Sequence, residues 1–383
     1  MDVTSRKSMS SGRDGDRART VICCPDSFKG SAGAREAAEA MAAGVRDAGA
    51  EAIVVPMADG GEGTAELLAA ALGGARRQPV AHDVRTVDAL GRPTIALWWE
   101  PEPGHAVLDL ASASGLPAVA DAPDALGAST FGTGEVILDG LAHGAEKITM
   151  CLGGSATTDG GAGLLAALGA SIIDAEGRGL PPGGGALARA ARLDVSGVDE
   201  RARRARWTLV LDVTTPPRDA PSVFGPQKGA SPTDVRTLTD ALINWCGICG
   251  VSPDEPGHGA AGATPVGIAA LAETSLAVEP GAELLARATG LDEALASGRA
   301  DLVLTGEGSI DAQSHVGKVV GWVVSRAAET DPPTPVHLIG GRVDVDADVV
   351  KQAAGTTALP GPMETTLDQL RAAARAATLE AGS

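Results

Sequence analysis

Short apolar runs, glycine-rich turns and alanine-rich stretches follow one another at the N-terminal end of the chain. The first apolar run, residues 20–24, leads through PDSFKGS into a stretch whose apolar residues repeat with helical spacing. That helical face consists of Ala34, Ala37, Ala38, Met41, Ala42 and Val45. A second run, residues 52–57, leads through ADGGEG into another helix, for which Thr64 is the predicted N-cap. This order predicts βαβ units and a parallel sheet.

The same order returns towards the C-terminus. An apolar run that ends in glycines and acids, ADLVLTGEG, is followed by a helix from about Lys318 and by a further strand, PVHLIGG. Both ends of the chain are therefore predicted to build one domain, from residues 19–73 and 288–383. Residues 1–18 are polar and are interpreted as a disordered tail.

The interior, residues 74–287, has a different pattern and is predicted to form a mixed α/β domain inserted into the first. Apolar and polar residues alternate on both sides of a turn in residues 84–100, as is typical of an antiparallel hairpin. Further strands are predicted at residues 105–111, 147–152 and 207–213.

The second half of the interior contains one clear helix signal and one long featureless stretch. Residues 231–245 are predicted to be helical, with Ser231 as N-cap and Pro232 at the first helical position. Residues 174–206 are rich in Gly, Ala and Arg with little periodicity, and are interpreted as a long connection.

Charge and composition exclude several classes of function. A net charge of −18 and 2% aromatic residues argue against nucleic acid, which requires cations for phosphates and rings for bases. No apolar stretch approaches the ~20 residues of a membrane span, and the polar N-terminus lacks a signal sequence. Cys246 and Cys249 are interpreted as packed thiols, because no second ligand pair completes a zinc site. We expect a cytoplasmic protein that acts on small molecules.

The first candidate cluster follows the first strand. Asp26, Ser27 and Lys29 precede a helix, where free backbone N–H groups and a mobile ammonium favour a phosphate. Ligands of open α/β sheets bind at this end of the strands. The alternative is an ordinary turn with a solvated lysine.

The second cluster follows the second strand. Asp59 and Glu62 flank Gly60 and Gly61, and two carboxylates on a flexible turn can hold Mg²⁺ or a substrate hydroxyl. The alternative is a tight turn whose acids stabilise the N-terminus of the following helix.

The third cluster is the longest glycine-rich loop, between a predicted strand and a helix. Gly153 and Gly154 allow backbone N–H groups to approach a ligand closely, and Ser155 and Thr157 add hydroxyl donors before Asp159. The loop matches neither the P-loop pattern nor the dinucleotide fingerprint, which disfavours a reductase.

The fourth cluster gathers polar residues that follow later strands. Glu307 and Asp311 come after the run at residues 300–305, Asp212 follows another strand, and Lys228 stands in a glycine-flanked turn. Each could be an ordinary turn residue. Together, carboxylates and cations at strand ends in both predicted domains indicate phosphoryl transfer in a cleft.

These segments resemble the bacterial glycerate kinase family. PDSFKGS, ADGGEGT, GGSATTDGGAG, FGPQKGA, GAAG and ADLVLTGEG stand in the family's order. The resemblance implies a two-domain α/β fold, with a discontinuous flavodoxin-like domain and an inserted domain. It also implies ATP and Mg²⁺ as cosubstrates, D-glycerate as acceptor and phosphoglycerate as product, with the 2-phosphate as our expectation.

Roles for matching positions are hypotheses from chemistry. Lys29 and Lys228 are expected to neutralise phosphate or the substrate carboxylate. Asp212 or Asp311 is expected to receive the hydroxyl proton. The expected Mg²⁺ ligands are Asp59, Glu62 and Glu307. The expected substrate and phosphate contacts are Asp26, Ser27, Gly60, Gly61, Gly153, Gly154, Ser155, Thr157 and Asp159.

Five positions depart from the family's usual residues. Thr215 stands where Asn is usual, Ser309 where Arg is, Val319 where Pro is, Asp109 where Glu is, and Ala263 where Gly is. The missing arginine matters most, because a guanidinium can bind a carboxylate or phosphate at two points and a serine cannot. A kinase for another small hydroxy-carboxylate and a non-catalytic ligand-binding relative therefore stay open as alternatives.

Overall fold

Both ends of the chain contribute to one parallel five-stranded sheet. The computed structural model describes residues 17–74, 77–273, 275–315, 318–362 and 366–382. The strands of this sheet are β1 (Thr20–Cys23), β2 (Glu51–Val54), β11 (Leu302–Ile310), β12 (Val336–Val343) and β13 (Gly355–Ala358). Their spatial order is β13–β12–β11–β1–β2, and every neighbouring pair is parallel. This is the flavodoxin-like order, whose switch point lies between β1 and β11.

Helices cover both faces of the first sheet, because alternate residues of its strands point to opposite sides. Val21 packs with α1 (Ala34–Asp47) and α14 (Thr366–Glu380) on one face, and Ile22 packs towards the other face. The remaining helices of this part are α2 (Thr64–Gly73), α10 (Gly281–Thr289), α11 (Leu291–Ala296), α12 (Val319–Ala328) and α13 (Asp348–Gln352). All six residues of the predicted α1 face are buried, so that prediction is confirmed.

The interior of the chain forms a mixed six-stranded sheet. Its strands are β3 (Val80–Val87), β4 (Pro93–Glu100), β5 (His105–Asp109), β6 (Lys147–Cys151), β9 (Arg206–Leu211) and β10 (Ser275–Pro280). In the order β10–β9–β6–β5–β4–β3, the first four are parallel and the last two antiparallel. The predicted hairpin and the three predicted strands are confirmed.

Seven helices accompany this second sheet within the described residues. They are α3 (Ala111–Ser114), α4 (Phe131–Ala142), α5 (Ala162–Ala167), α6 (Glu200–Arg204), α7 (Ala220–Phe224), α8 (Pro232–Cys249) and α9 (Ala260–Leu271). The predicted start of α8 is confirmed, since the Ser231 hydroxyl accepts from the Asp234 N–H and the Asp234 carboxylate accepts from the Ser231 N–H. The largest buried side chains of the core here are Trp98, Trp207 and Trp245.

One buried cluster joins the two sheets. Val107, Cys151 and Val210 of the second sheet belong to the same buried cluster as Ile22 and Val303 of the first. The predicted division at residues 287 and 288 falls inside α10, and the domain boundaries stay a prediction. Among the described residues, no helix combines the length and hydrophobicity needed to cross a bilayer.

Three local predictions were wrong. Thr64 is the first residue of α2 rather than its N-cap, because the left-handed Gly63 occupies the cap position. Glu307 lies inside β11 and does not follow it, because the strand continues to Ile310. Residues 174–206 contain β8 (Arg192–Asp194), which pairs with β7 (Ser171–Ile173), followed by the short α6, and these elements are too short for periodicity to reveal.

Candidate functional site

A cleft of about 490 Å³ opens at the carboxyl ends of β1 and β11, where the strand order reverses. Ligands of open α/β sheets bind at such a point because the connections diverge there and leave a crevice. Six predicted site residues line it, namely Asp26, Ser27, Lys29, Asp59, Glu307 and Asp311. Lys318, Ser309 and Arg342 line it too, and Leu359, Gly361, Thr366 and Gln369 form its C-terminal wall.

The turn after β1 holds two of these side chains in place. The Asp26 N–H donates to Gly306 O of β11 at 2.9 Å, which extends the pairing of the two strands. The Ser27 N–H donates to the Asp26 carboxylate at 2.6 Å. Phe28 is buried and closes a tight turn with Ala32, which leaves Lys29 exposed at its tip. The lysine is therefore free to move over the cleft while the carboxylate is fixed.

Glu307 reaches the cleft from within β11. Its Oε1 atom is buried and has no hydrogen-bond partner among the described residues. Burial raises the pKa of Glu307, while a hydrogen bond from the Ser314 hydroxyl and the charge of Lys318 lower it. A buried carboxylate oxygen without a donor is costly unless a ligand completes it.

The carboxylates of the cleft lie close enough to affect one another. Burial, followed by the charges of Asp59 and Glu307, raises the pKa of Asp26 to about 7, although the Ser27 N–H and Lys29 oppose the shift. Burial and the charge of Asp59 raise the pKa of Asp212 to about 6, against Lys318 and Lys29. Asp212 is therefore an electrostatic neighbour of the cleft, although it does not line its wall.

Two glycine turns join the cleft to the second sheet. The Gly61 N–H donates to the Asp59 carboxylate at 3.0 Å, and the Gly153 N–H donates to Gly60 O at 2.9 Å. A Cβ atom on Gly153 would lie 2.5 Å from the Cα atom of Gly61, so the loops touch backbone to backbone. Gly60, Gly61 and Gly153 thus fix the position of Asp59 between the sheets, and Gly154 follows in the left-handed conformation.

Ser155, Thr157, Asp159 and Lys228 lie together away from the cleft wall. The Lys228 ammonium, with 2% of the residue exposed, donates to Ser155 Oγ at 3.0 Å and to Thr157 O at 2.6 Å. Burial lowers the pKa of Lys228 to about 7, while the charge of Asp159 opposes this. Asp159 is fully buried and accepts hydrogen bonds from Thr130, Gly161 and Gly163. These four residues are buried in the part of the chain that carries the second sheet.

Glu62 faces a second cavity, of about 400 Å³, on the other side of the turn after β1. Asp26 and Ser27 line both cavities, and the N-terminal residues Ala34 and Arg35 of α1 line the second. The predicted metal ligands Asp59, Glu62 and Glu307 are thus divided, with Glu62 apart from the other two.

Two residues have positions that local sequence did not reveal. Asp109, at the end of β5, accepts from the Gly63 N–H at 2.8 Å and the Ala65 N–H at 3.0 Å, and thereby caps α2 from another strand. Burial raises its pKa to about 6. Arg342 follows Gly340 and Gly341 near the end of β12 and lines the cleft. Its place at a strand end is the sequence feature that could have identified it as a site residue.

The carboxylates of the cleft suit Mg²⁺ if a bound ligand provides further oxygen atoms to the ion. No three His, Cys, Asp or Glu side chains within the described ranges are grouped to hold a metal alone. Mg²⁺ usually takes one or two protein carboxylates and completes its shell with water and phosphate oxygens. The unpartnered Oε1 of Glu307 and the neighbouring Asp59 match that requirement.

Comparison with known proteins gives one consistent result. The family model described as the glycerate kinase family matches residues 21–381. The chain is 38% identical over 344 residues to the glycerate kinase of Bacillus subtilis (strain 168) and to the glycerate 2-kinase of Escherichia coli (strain K12), covering 87% of each chain. The crystal structure of glycerate kinase 2 from Salmonella typhimurium LT2 superposes with a TM-score of 0.79 at 34% identity, covering 96% of this chain and 99% of that one.

Proposed function

Since this chain belongs to the glycerate kinase family, we propose that it transfers the γ-phosphoryl group of ATP to a hydroxyl of D-glycerate. Membership makes it a phosphotransferase with an alcohol acceptor that phosphorylates glycerate. The nucleotide, the metal, the position of the new phosphate and a cytoplasmic location are our proposals. The expected products are ADP and 2-phosphoglycerate.

One observation carries the proposal: Lys29, Lys318 and Arg342 share the cleft at the switch point with Asp26, Asp59, Glu307 and Asp311. Phosphoryl transfer needs cations for the phosphate oxygens and carboxylates for a divalent ion and for the hydroxyl proton. A cleft with both kinds of charge at one end of a parallel sheet suits that reaction.

Lys29 and Lys318 would neutralise the transferred phosphoryl group from opposite elements, the turn after β1 and the start of α12. A mobile ammonium can follow the charge as it moves from ATP to the new ester. Asp26 and Ser27, from the same turn as Lys29, would orient the acceptor.

The hydroxyl proton would pass to a carboxylate as the oxygen–phosphorus bond forms and the bond from the γ-phosphorus to ADP breaks. Asp212 or Asp311 is the proposed acceptor of that proton. The pKa of Asp212, raised to about 6, brings its basicity closer to the operating pH, where proton acceptance is most effective.

Mg²⁺, held by Asp59 and Glu307, would supply charge neutralisation for the phosphate oxygens. Glu62, which faces the second cavity, would join only through water. Gly60, Gly61, Gly153 and Gly154 would position Asp59.

The buried group around Lys228 would act on the shape of the cleft. Both observed contacts of its ammonium are with protein oxygens, on Ser155 and Thr157, and Asp159 is fully buried. We therefore propose that these residues position the second domain's loop, which differs from the direct phosphate contact expected from sequence.

A test of the function combines the protein with ATP, Mg²⁺ and a panel of hydroxy acids, followed by phosphorus NMR. A new phosphate ester from D-glycerate is expected. Its phosphorus signal should couple to one proton if C2 is modified and to two if C3 is. A product only from another hydroxy acid would favour the second candidate, for which Ser309 is the motive, and no product from any acid would contradict the proposal.

A further inference from the structure

The proposed transfer counts Arg342 among the cations of the cleft but does not assign it a ligand group. Arg342 lies on β12 and lines the same wall as Lys29 and Asp311. Its side chain is exposed and, among the described residues, forms neither a hydrogen bond nor an ion pair. An unpaired guanidinium in a binding cleft is available to an anionic ligand.

Ser309 is the neighbour of Arg342 on the adjacent strand. The two residues are in register across the parallel strands β11 and β12, and both line the cleft. Neighbouring strands lie about 4.8 Å apart, so a guanidinium carried by either position can serve the same part of the cleft. The serine at position 309 therefore does not leave this region without an arginine.

The other two cations that line the cleft lie close enough to its carboxylates to shift their pKa values. Lys29 lowers the pKa of Asp26 and Asp212, and Lys318 lowers the pKa of Asp212 and Glu307. Those ammonium groups suit moving phosphate charge. The planar guanidinium instead matches a carboxylate at two points, which fixes orientation as well as position.

We propose that Arg342 binds the carboxylate of the acceptor and thereby selects hydroxy acids over uncharged polyols. This inference rests on the proposed function, because it assigns the acceptor's place within the same cleft. It also accounts for how a chain with Ser309 can hold a small acid.

The test compares D-glycerate with its uncharged amide as acceptors. For Arg342→Gln, the KM for D-glycerate should rise at least about tenfold, because a charged hydrogen-bonded contact is lost. The KM for ATP should stay within about twofold, and the preference for the acid over the amide should largely disappear. The KM of Arg342→Lys for D-glycerate should lie between those of the wild type and Arg342→Gln, since lysine keeps the charge but cannot form the two-point contact of a guanidinium.

Two further variants separate position from charge. The double exchange Ser309→Arg with Arg342→Ser moves the guanidinium one strand across and should recover much of the affinity for D-glycerate. Arg85→Gln, on β3 of the other sheet, changes the net charge equally and should leave both KM values unchanged.

A rise in the KM for ATP without one for D-glycerate, or an unchanged KM for both, would overturn the inference. Failure of the proposed function is distinguishable, because the wild type would then form no product from any acid. In that case calorimetric titration of D-glycerate into the wild type and Arg342→Gln still decides, and equal affinity would refute the role of Arg342.

Discussion

Lys29 and Lys228 both come from glycine-flanked turns, yet the fold uses them in opposite ways. Lys29 is exposed at the tip of a turn that the buried Phe28 anchors. Lys228 is enclosed, and burial lowers its pKa to about 7. The local sequences are alike, and the difference comes from what packs around each ammonium. Only the first has the freedom that phosphate contact in the cleft requires.

Replacing Lys29 by Met should lower kcat by about 100- to 1,000-fold, the usual cost of losing one preorganised group that stabilises transition-state charge. Because the side chain is exposed, the melting temperature should change little. Lys351→Met, at an exposed position of α13, is the matched control and should keep full activity. Near-normal turnover of Lys29→Met would remove this lysine from the site.

Ala263 has a backbone conformation that an L-residue rarely adopts. Ala261, Gly262 and Ala263 form three consecutive left-handed residues near the start of α9, and Ala263 has a φ of 66°. Replacing Ala263 by Gly should raise the free energy of unfolding by up to about 1 kcal/mol, because the strain of the Cβ atom disappears. Chemical denaturation measures the change.

The matched control for this substitution is Ala270→Gly in the regular part of α9, which should lower the free energy of unfolding by roughly 0.5–1 kcal/mol. Destabilisation of the same size at both positions would show that the left-handed turn is not strained.

At the scale of elements, β11 combines strand pairing with the chemistry of the site. Gly306 lies between the buried Thr305 and the cleft residue Glu307. A Cβ atom on Gly306 would overlap sterically with Ile339 O of β12. The glycine therefore lets β12 approach closely, and that approach brings Ser309 and Arg342 side by side.

Gly306→Ala should separate β11 from β12 and lower the free energy of unfolding by roughly 1–3 kcal/mol, the cost of overpacking a tight contact. The KM for both substrates should rise as the cleft widens. Gly247→Ala, at an exposed position of α8 with open space around it, should instead raise the free energy of unfolding by up to about 1 kcal/mol. A Gly306→Ala protein as stable as the wild type would refute this account of β11.

How far sequence reasoning reached also depends on the element. Helical spacing identified the buried face of α1, and alternation identified the β3–β4 hairpin, because both signals are local. The apolar residues 300–305 favoured a strand that ends before Glu307, and only the pairing with β12 shows that β11 continues to Ile310. The capping of α2 by Asp109 and the register of Ser309 with Arg342 join residues distant in sequence, so no local pattern contains them.

At the scale of the whole molecule, the two ends of the chain meet to place the strand-order switch point beside the second sheet. The flavodoxin-like order brings the turn after β1 beside the glycine-rich end of β11, and the Gly60–Gly153 contact adds the loop after β6 of the second sheet. The result concentrates carboxylates in a chain that already carries a net charge of −18. A site of this kind for the proposed cation and phosphate would come at the expense of stability.

This loss of stability should depend on pH, and Asp26→Asn should remove the part of the pH dependence that Asp26 causes. The pKa of Asp26 is about 7 in the folded protein and about 3.8 in the unfolded chain, where its interactions are absent. Between these values the folded chain keeps a proton that the unfolded chain has released, so stability falls as pH rises through the window. Asn mimics the protonated form, and the gain in melting temperature of Asp26→Asn over wild type should grow from pH 4 to pH 8.

Asp47 provides a control of opposite sign. Its hydrogen bond with Arg371 lowers the pKa of this exposed carboxyl, so its contribution is complete above the ordinary Asp pKa and is lost only in more acidic solution. Asp47→Asn should therefore destabilise slightly and by the same amount from pH 5 to pH 8. The difference in melting temperature between Asp26→Asn and the wild type could prove equally independent of pH. In that case the carboxylates of the cleft would not repel one another. The proposal that Asp26, Asp59 and Glu307 lie close together around a site for Mg²⁺ would then be refuted.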